Sequence, residues 1–154
     1  MLSEKGYLTN KLSPKREVKI FIVKKINASL RVKEMDVWSM PIFLKRAYEK
    51  SATEDGKRIL VERLWPRGLK KTEAKIDEWL KDVAPSTELR EWYSHDPSKW
   101  IEFKKRYWKE LETKKDVVLR LAKESKENKV TFVFGSKEEK LNNANALKEY
   151  VENL

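Results

Sequence analysis

The chain has 154 residues, a length that fits one domain with a single core. A 40% hydrophobic fraction with six Trp argues against disorder, and the absence of Cys excludes disulfides, thiolate nucleophiles, Cys-ligated zinc and iron–sulfur clusters. The net charge of +10 is uneven: residues 1–39 carry nine Lys/Arg and four Asp/Glu, so a quarter of the chain holds half of the excess.

One His rules out a His-rich metal site. No apolar run approaches the roughly 18 residues of a membrane span, and the N-terminus lacks the apolar core of a signal peptide. The expectation is a soluble, cytoplasmic protein with no membrane contact, no cofactor and no metal. The excess charge reads as solubilisation with a basic arm, or as attraction to nucleic acid. No RGG run, RNP motif or helix-turn-helix pattern adds weight to nucleic acid.

Residues 1–16 are polar and rich in turn formers, and poor order is expected there. Glu17–Ile26 alternates Val18, Ile20 and Ile22 with Lys19 and Phe21, the pattern of a half-buried strand. Met40 directly precedes the apolar Pro41–Leu44 stretch. Residues 1–39 therefore read either as a genuine basic extension or as residues ahead of a start at Met40, with 40–154 as the α/β domain.

From Pro41 the pattern is regular. Ile42–Tyr48 predicts a short strand, and Ser51–Lys57 a loop with a turn-forming Asp-Gly pair. Arg58–Trp65 predicts a second strand, apolar on both faces through Ile59, Leu60 and Val61, as expected of a strand covered on both sides. Thr72 is a suitable N-cap for a helix over Glu73–Val83, where Ile76, Trp79, Leu80 and Val83 share one helical face. After Ala84-Pro85, Ser86 or Thr87 caps a shorter helix carrying Leu89, Trp92 and Tyr93. Asp96 or Ser98 caps another over Lys99–Leu111, with Trp100, Phe103, Tyr107 and Leu111 inward. Asp116–Lys126 adds a further helix. Val130–Phe134 is a β-branched and aromatic strand, and Gly135-Ser136 turns into a helix over Glu138–Glu152.

This order predicts a small three-layer α/β fold. Its sheet is largely parallel with helices on both faces in Rossmann-like order, and several consecutive helices separate the second and last main strands. Ligands in such sheets sit beyond the carboxyl ends of strands, here Lys45–Tyr48, Trp65–Gly68 and Gly135–Lys137.

Three stretches, LVERLWPRGL, DEWLKDVAPSTELREWYSHDPSKWIEFKKRYWKEL and VTFVFGSKEEKLNNANALKEYV, resemble the YeaO-like family, domain of unknown function family 488. The likeness covers about residues 41–151 and implies a small cytoplasmic α/β fold. One departure is visible: the family's last motif reads like K-D-E-E-H-N, whereas Lys137–Asn142 reads KEEKLN, with Leu141 in the place of the His.

Glu62, Arg63, Arg67 and Gly68 form the first candidate site. The arginines offer forked donors to a phosphate or carboxylate, Gly68 permits close backbone approach, and Glu62 can act as a base or orient an Arg. The competing reading is an internal ion-pair network at the strand end, with Trp65 in the core. Strand alternation sends Glu62 and Arg63 to opposite faces, so one pocket can hold both only if the chain bends. His95 is suited to proton transfer, although His95-Asp96-Pro97 also reads as a turn with Asp96 as an N-cap. Gly135-Ser136-Lys137 with Asn142 offers backbone N–H groups and a cation to an anion, or simply caps a helix.

Two functional readings follow. In the leading one, Arg63, Arg67, Gly68, Lys137 and Asn142 bind a small anionic ligand, phosphorylated or nucleotide-like, with Glu62 and His95 as the proton-transfer candidates. In the alternative, the chain is a non-catalytic interaction module that binds nucleic acid or a protein partner through its basic surface.

Overall fold

A computed structural model of the chain describes residues 41–154. The predicted strand Glu17–Ile26 and the rest of the predicted extension lie outside the described residues. Four strands form one sheet: β1 (Phe43–Arg46), β2 (Lys57–Leu60), β3 (Glu78–Trp79) and β4 (Val130–Phe134). Their spatial order is β1-β4-β2-β3, and every neighbouring pair is parallel. Among the described residues five α-helices accompany them: α1 (Lys71–Ala74), α2 (Thr87–Tyr93), α3 (Trp100–Glu112), α4 (Lys115–Glu127) and α5 (Asn143–Glu152).

The two-residue alternation of the strands divides the apolar residues between two faces. Ile59 lies opposite Phe132, and Leu60 lies opposite Val133. Ile59, Val61, Phe132 and Phe134 join the large core with Phe103, Tyr107, Leu111, Leu121 and Leu147 from α3, α4 and α5. Leu60, Val133 and Ala47 face the other way, against Trp65, Leu69, Ile76 and Trp79. Full burial of a Leu or Phe side chain is worth about 1.5–3 kcal/mol. The face that carries the long helices therefore supplies most of the apolar stabilisation, and the second face is covered by the loop around the one-turn helix α1.

Three predicted elements differ from the structure. The helix expected over Glu73–Val83 is instead α1, the edge strand β3 and a 3₁₀ turn at Lys81–Val83. Ile76 and Trp79 pack with Leu60 on the thin face, while Leu80 and Val83 join the large core. A helix would hold all four on one side; an extended edge strand lets neighbouring Trp79 and Leu80 serve both faces, and the sheet gains a fourth strand.

The strand expected over Arg58–Trp65 ends at Leu60, with the Val61 N–H donating a last rung to the Val133 carbonyl. The Glu62 carbonyl then accepts from the Trp79 indole N–H at 2.7 Å, and the chain bends at Arg63–Leu64. The last helix begins at Asn143 rather than Glu138. The Glu138 carboxylate accepts from the N–H groups of Lys140 and Leu141, which closes a separate turn before Asn142 caps the helix.

The start of β2 is held by charge. Asp55 pairs with Arg58 at 2.5 Å and with Lys45 at 2.9 Å, and Arg58 is only 3% exposed. Gly56 makes the approach possible: at φ 65° it lies where an added Cβ would meet the Lys129 carbonyl oxygen at 2.2 Å. No helix among the described residues is long and apolar enough to cross a membrane.

Candidate functional site

The chain leaves β2 toward the thin face, where Trp65, Leu69 and α1 lie, and leaves β4 toward the helical face and α5. Because β2 and β4 are neighbours, their departing loops separate and open a crevice at the carboxyl end of the sheet. A cleft of about 730 Å³ occupies this position. Tyr48 follows β1 on its rim, Glu62 and Arg63 follow β2, Gly135 and Ser136 follow β4, and Arg90 and Glu91 enter from α2.

The bend at Arg63–Leu64 resolves the alternation problem, and Glu62, Arg63, Arg67 and His95 all line this one cleft. Glu62 is half-buried, and its Oε1 accepts from the Gly135 N–H at 3.1 Å, across the gap between the two strand ends. Burial pushes the Glu62 carboxyl upward, against the Gly135 N–H and the charge of Arg90. The Arg63 guanidinium lies 3.4 Å from the Pro85 carbonyl and 3.5 Å from that of Ala84, long contacts that leave most of its donors to the cleft. Arg67 is exposed, and its carbonyl accepts from the Tyr48 hydroxyl at 2.9 Å, which ties the rim together.

His95 lines the cleft at φ 54°, directly after Ser94 at φ 45°. Two successive non-glycine residues in left-handed backbone are costly, and here they reverse the chain after α2. The His95 ring lies 5.6 Å from that of Tyr93 between centroids. Asp96 does not orient His95: its carboxylate accepts from the backbone N–H and the hydroxyl of Ser98, so it caps the following turn.

The remaining sequence candidates fall elsewhere. Gly68, at φ 76°, is an exposed corner outside the cleft lining. Lys137 is also exposed and outside it. Asn142 is fully buried and caps α5, accepting from the Asn145 N–H at 3.0 Å while its amide donates to the Glu138 carbonyl. Its neighbour Asn143 is the one that lines the cleft, with its amide donating to the Val61 carbonyl at 2.9 Å.

The sequence candidates omitted Arg90 and Glu91. Their signal was available: Thr87, Arg90 and Glu91 fall at i, i+3 and i+4 on the short helix whose other side carries Leu89 and Tyr93 into the core. Ser86 sets that helix by accepting from the Leu89 N–H, while its own hydroxyl and N–H donate to the Glu110 carboxylate on α3. Among the described residues, no group of three or more His, Cys, Asp or Glu is placed to hold a metal ion.

Sheet and crevice together define a small parallel α/β protein with an arginine-lined cleft at the strand carboxyl ends. Within that class the chain belongs to the DUF488 family: a family model described as the inactive DUF488-N3 subclade matches residues 41–154. It is 38% identical over 115 residues to Uncharacterized protein YeaO of Escherichia coli strain K12, covering 75% of this chain and 100% of that protein. It is 52% identical over 66 residues to Uncharacterized protein Rv3073c of Mycobacterium tuberculosis and to Uncharacterized protein Mb3100c of Mycobacterium bovis. Those matches cover 43% of this chain and 56% of each mycobacterial protein, so the chain spans about half of their length. No solved structure matches.

Proposed function

We propose that the chain is a cytoplasmic binding protein for a small anionic ligand, phosphorylated or nucleotide-like, held in the cleft without turnover. The distribution of unpaired arginines carries this reading. Arg58, Arg106 and Arg120 each pair with a carboxylate. Among the described residues, Arg46, Arg63, Arg67 and Arg90 make no ion pair within 4.0 Å, and the last three line the cleft. Arg46 is the last residue of β1, at the same end of the sheet.

Guanidinium groups left without carboxylates in a concave site favour a forked oxyanion. The volume supports a small molecule, since such sites run about 300–1,000 Å³. Binding without turnover is supported by the family description, which reads inactive, and by the absence of a Cys nucleophile from the sequence. Among the described residues, no hydrogen bond couples Glu62 to His95.

The test is thermal unfolding with millimolar inorganic phosphate. A rise in Tm is expected, because a ligand that binds only the folded state stabilises it by mass action. Arg63→Ala and Arg90→Ala are each expected to remove most of that rise. If phosphate leaves Tm unchanged, or both variants respond as the wild type does, the anion-binding reading fails.

A further inference from the structure

We propose that Glu62 makes the cleft selective for oxyanions that bring a proton, meaning phosphate and its monoesters, over fully ionised ones such as sulfate. This rests on the anion-binding reading and adds the chemistry of the ligand. Glu62 lines the same cleft as Arg63, Arg67 and Arg90. Its Oε1 is occupied by the Gly135 N–H at 3.1 Å. Among the described residues Oε2 has no hydrogen-bond partner, and the Glu62 side chain that carries it belongs to the cleft lining.

An ionised carboxylate can only accept hydrogen bonds. An oxyanion drawn in by the arginines therefore meets Glu62 Oε2 as a second acceptor, and the two oxygens repel unless one proton lies between them. Inorganic phosphate keeps an O–H near neutral pH, and a phosphate monoester, with a second pKa of about 6, takes one up close to that pH. Sulfate carries none, and must draw the proton from solvent. The count closes with one shared proton: the ligand O–H donates to Oε2, or a protonated Glu62 donates to the fully ionised ligand. Burial already works upward on the Glu62 carboxyl, which favours the shared proton.

Glu88 is exposed on the same helix α2 but stands outside the cleft lining, so it serves as the control. The experiment is calorimetric titration of the full chain with inorganic phosphate and with sodium sulfate at about pH 6.5 and matched ionic strength. Phosphate is expected to bind about tenfold tighter or more, the range of one hydrogen bond to a charged group. Glu62→Gln places an amide donor where the carboxylate stood, and the gap is expected to shrink severalfold, mainly through tighter sulfate binding. Glu88→Gln is expected to keep the wild-type gap.

If Glu62→Gln does not fold by circular dichroism, wild-type titration with methyl sulfate decides. Methyl sulfate is a monoanion like dihydrogen phosphate but lacks the proton, and it must bind more weakly. Equal affinities in the wild type, or a gap unchanged in Glu62→Gln, overturns proton selectivity while anion binding stands. No binding of either anion overturns both.

Discussion

At the scale of single residues, position decides role more than residue type does. Asn142 and Asn143 are adjacent and chemically identical, yet one is a buried helix cap and the other lines the cleft. Glu62 and Arg63 share the cleft because the ladder stops and the chain bends just where alternation would have parted them. Glu62 also bears on stability. A carboxyl raised by burial in the folded state destabilises that state wherever it is ionised, fully above its folded pKa and not at all below its ordinary unfolded value. Ligand-free Glu62→Gln is therefore expected to unfold at a higher temperature than the wild type at neutral pH. The gap should close as pH falls through the folded value; thermal scans between about pH 4 and 8 read it, and a gap that ignores pH rules this out.

At the scale of elements, caps set the boundaries that periodicity leaves open. The sequence offers Ser86 or Thr87 as the start of α2, and the Ser86 side chain is the one that accepts from the Leu89 N–H. The start of α5 is not legible, because Ser136, Glu138 and Asn142 are all competent local acceptors and the first two close turns of their own. Asn142→Ala removes both the cap to Asn145 and the buried bond to the Glu138 carbonyl. It is expected to lower stability in urea by about 1–2 kcal/mol. The phosphate response of the folded variant should survive, since Asn142 stands outside the cleft; loss of that response would return Asn142 to the site.

At the scale of the whole molecule, charge is sorted by the ends of β2. Beside its first residues, Lys45 and Arg58 converge on Asp55, the Thr131 hydroxyl donates to the Asp55 carbonyl, and Lys57 and Arg120 share Glu78 and Glu124. Beyond its last residue, the cleft arginines have no such partner among the described residues. Burial acts upward on the Asp55 carboxyl, but the Ala52 N–H, Lys45 and Arg58 outweigh it and hold the group below the ordinary carboxylate range. Its contribution is thus present above the unfolded pKa and lost as pH falls through the folded one. Asp55→Asn leaves the buried Arg58 without its charge partner and is expected to cost about 3–5 kcal/mol in urea unfolding at neutral pH. A loss below about 1 kcal/mol would show that the carbonyls of Ala74 and Lys75, which also accept from Arg58, suffice to hold it.

The sequence by itself determined the parallel α/β class, the β-branched strand Val130–Phe134, a short helix capped at Ser86 or Thr87, and helices over Lys99–Leu111 and Asp116–Lys126 that lie within a residue of α3 and α4. Those features rest on local chemistry: burial of β-branched runs, 3.6-residue periodicity and capping side chains. Only the tertiary structure decided that Ile76, Trp79, Leu80 and Val83 serve two faces instead of one helical stripe, because that choice depends on the sheet edge offered by β2. It also decided that Arg90 joins Arg63 and Arg67 while Gly68, Lys137 and Asn142 stand aside. Residues distant in sequence meet only where departing loops diverge, and no local pattern carries that information.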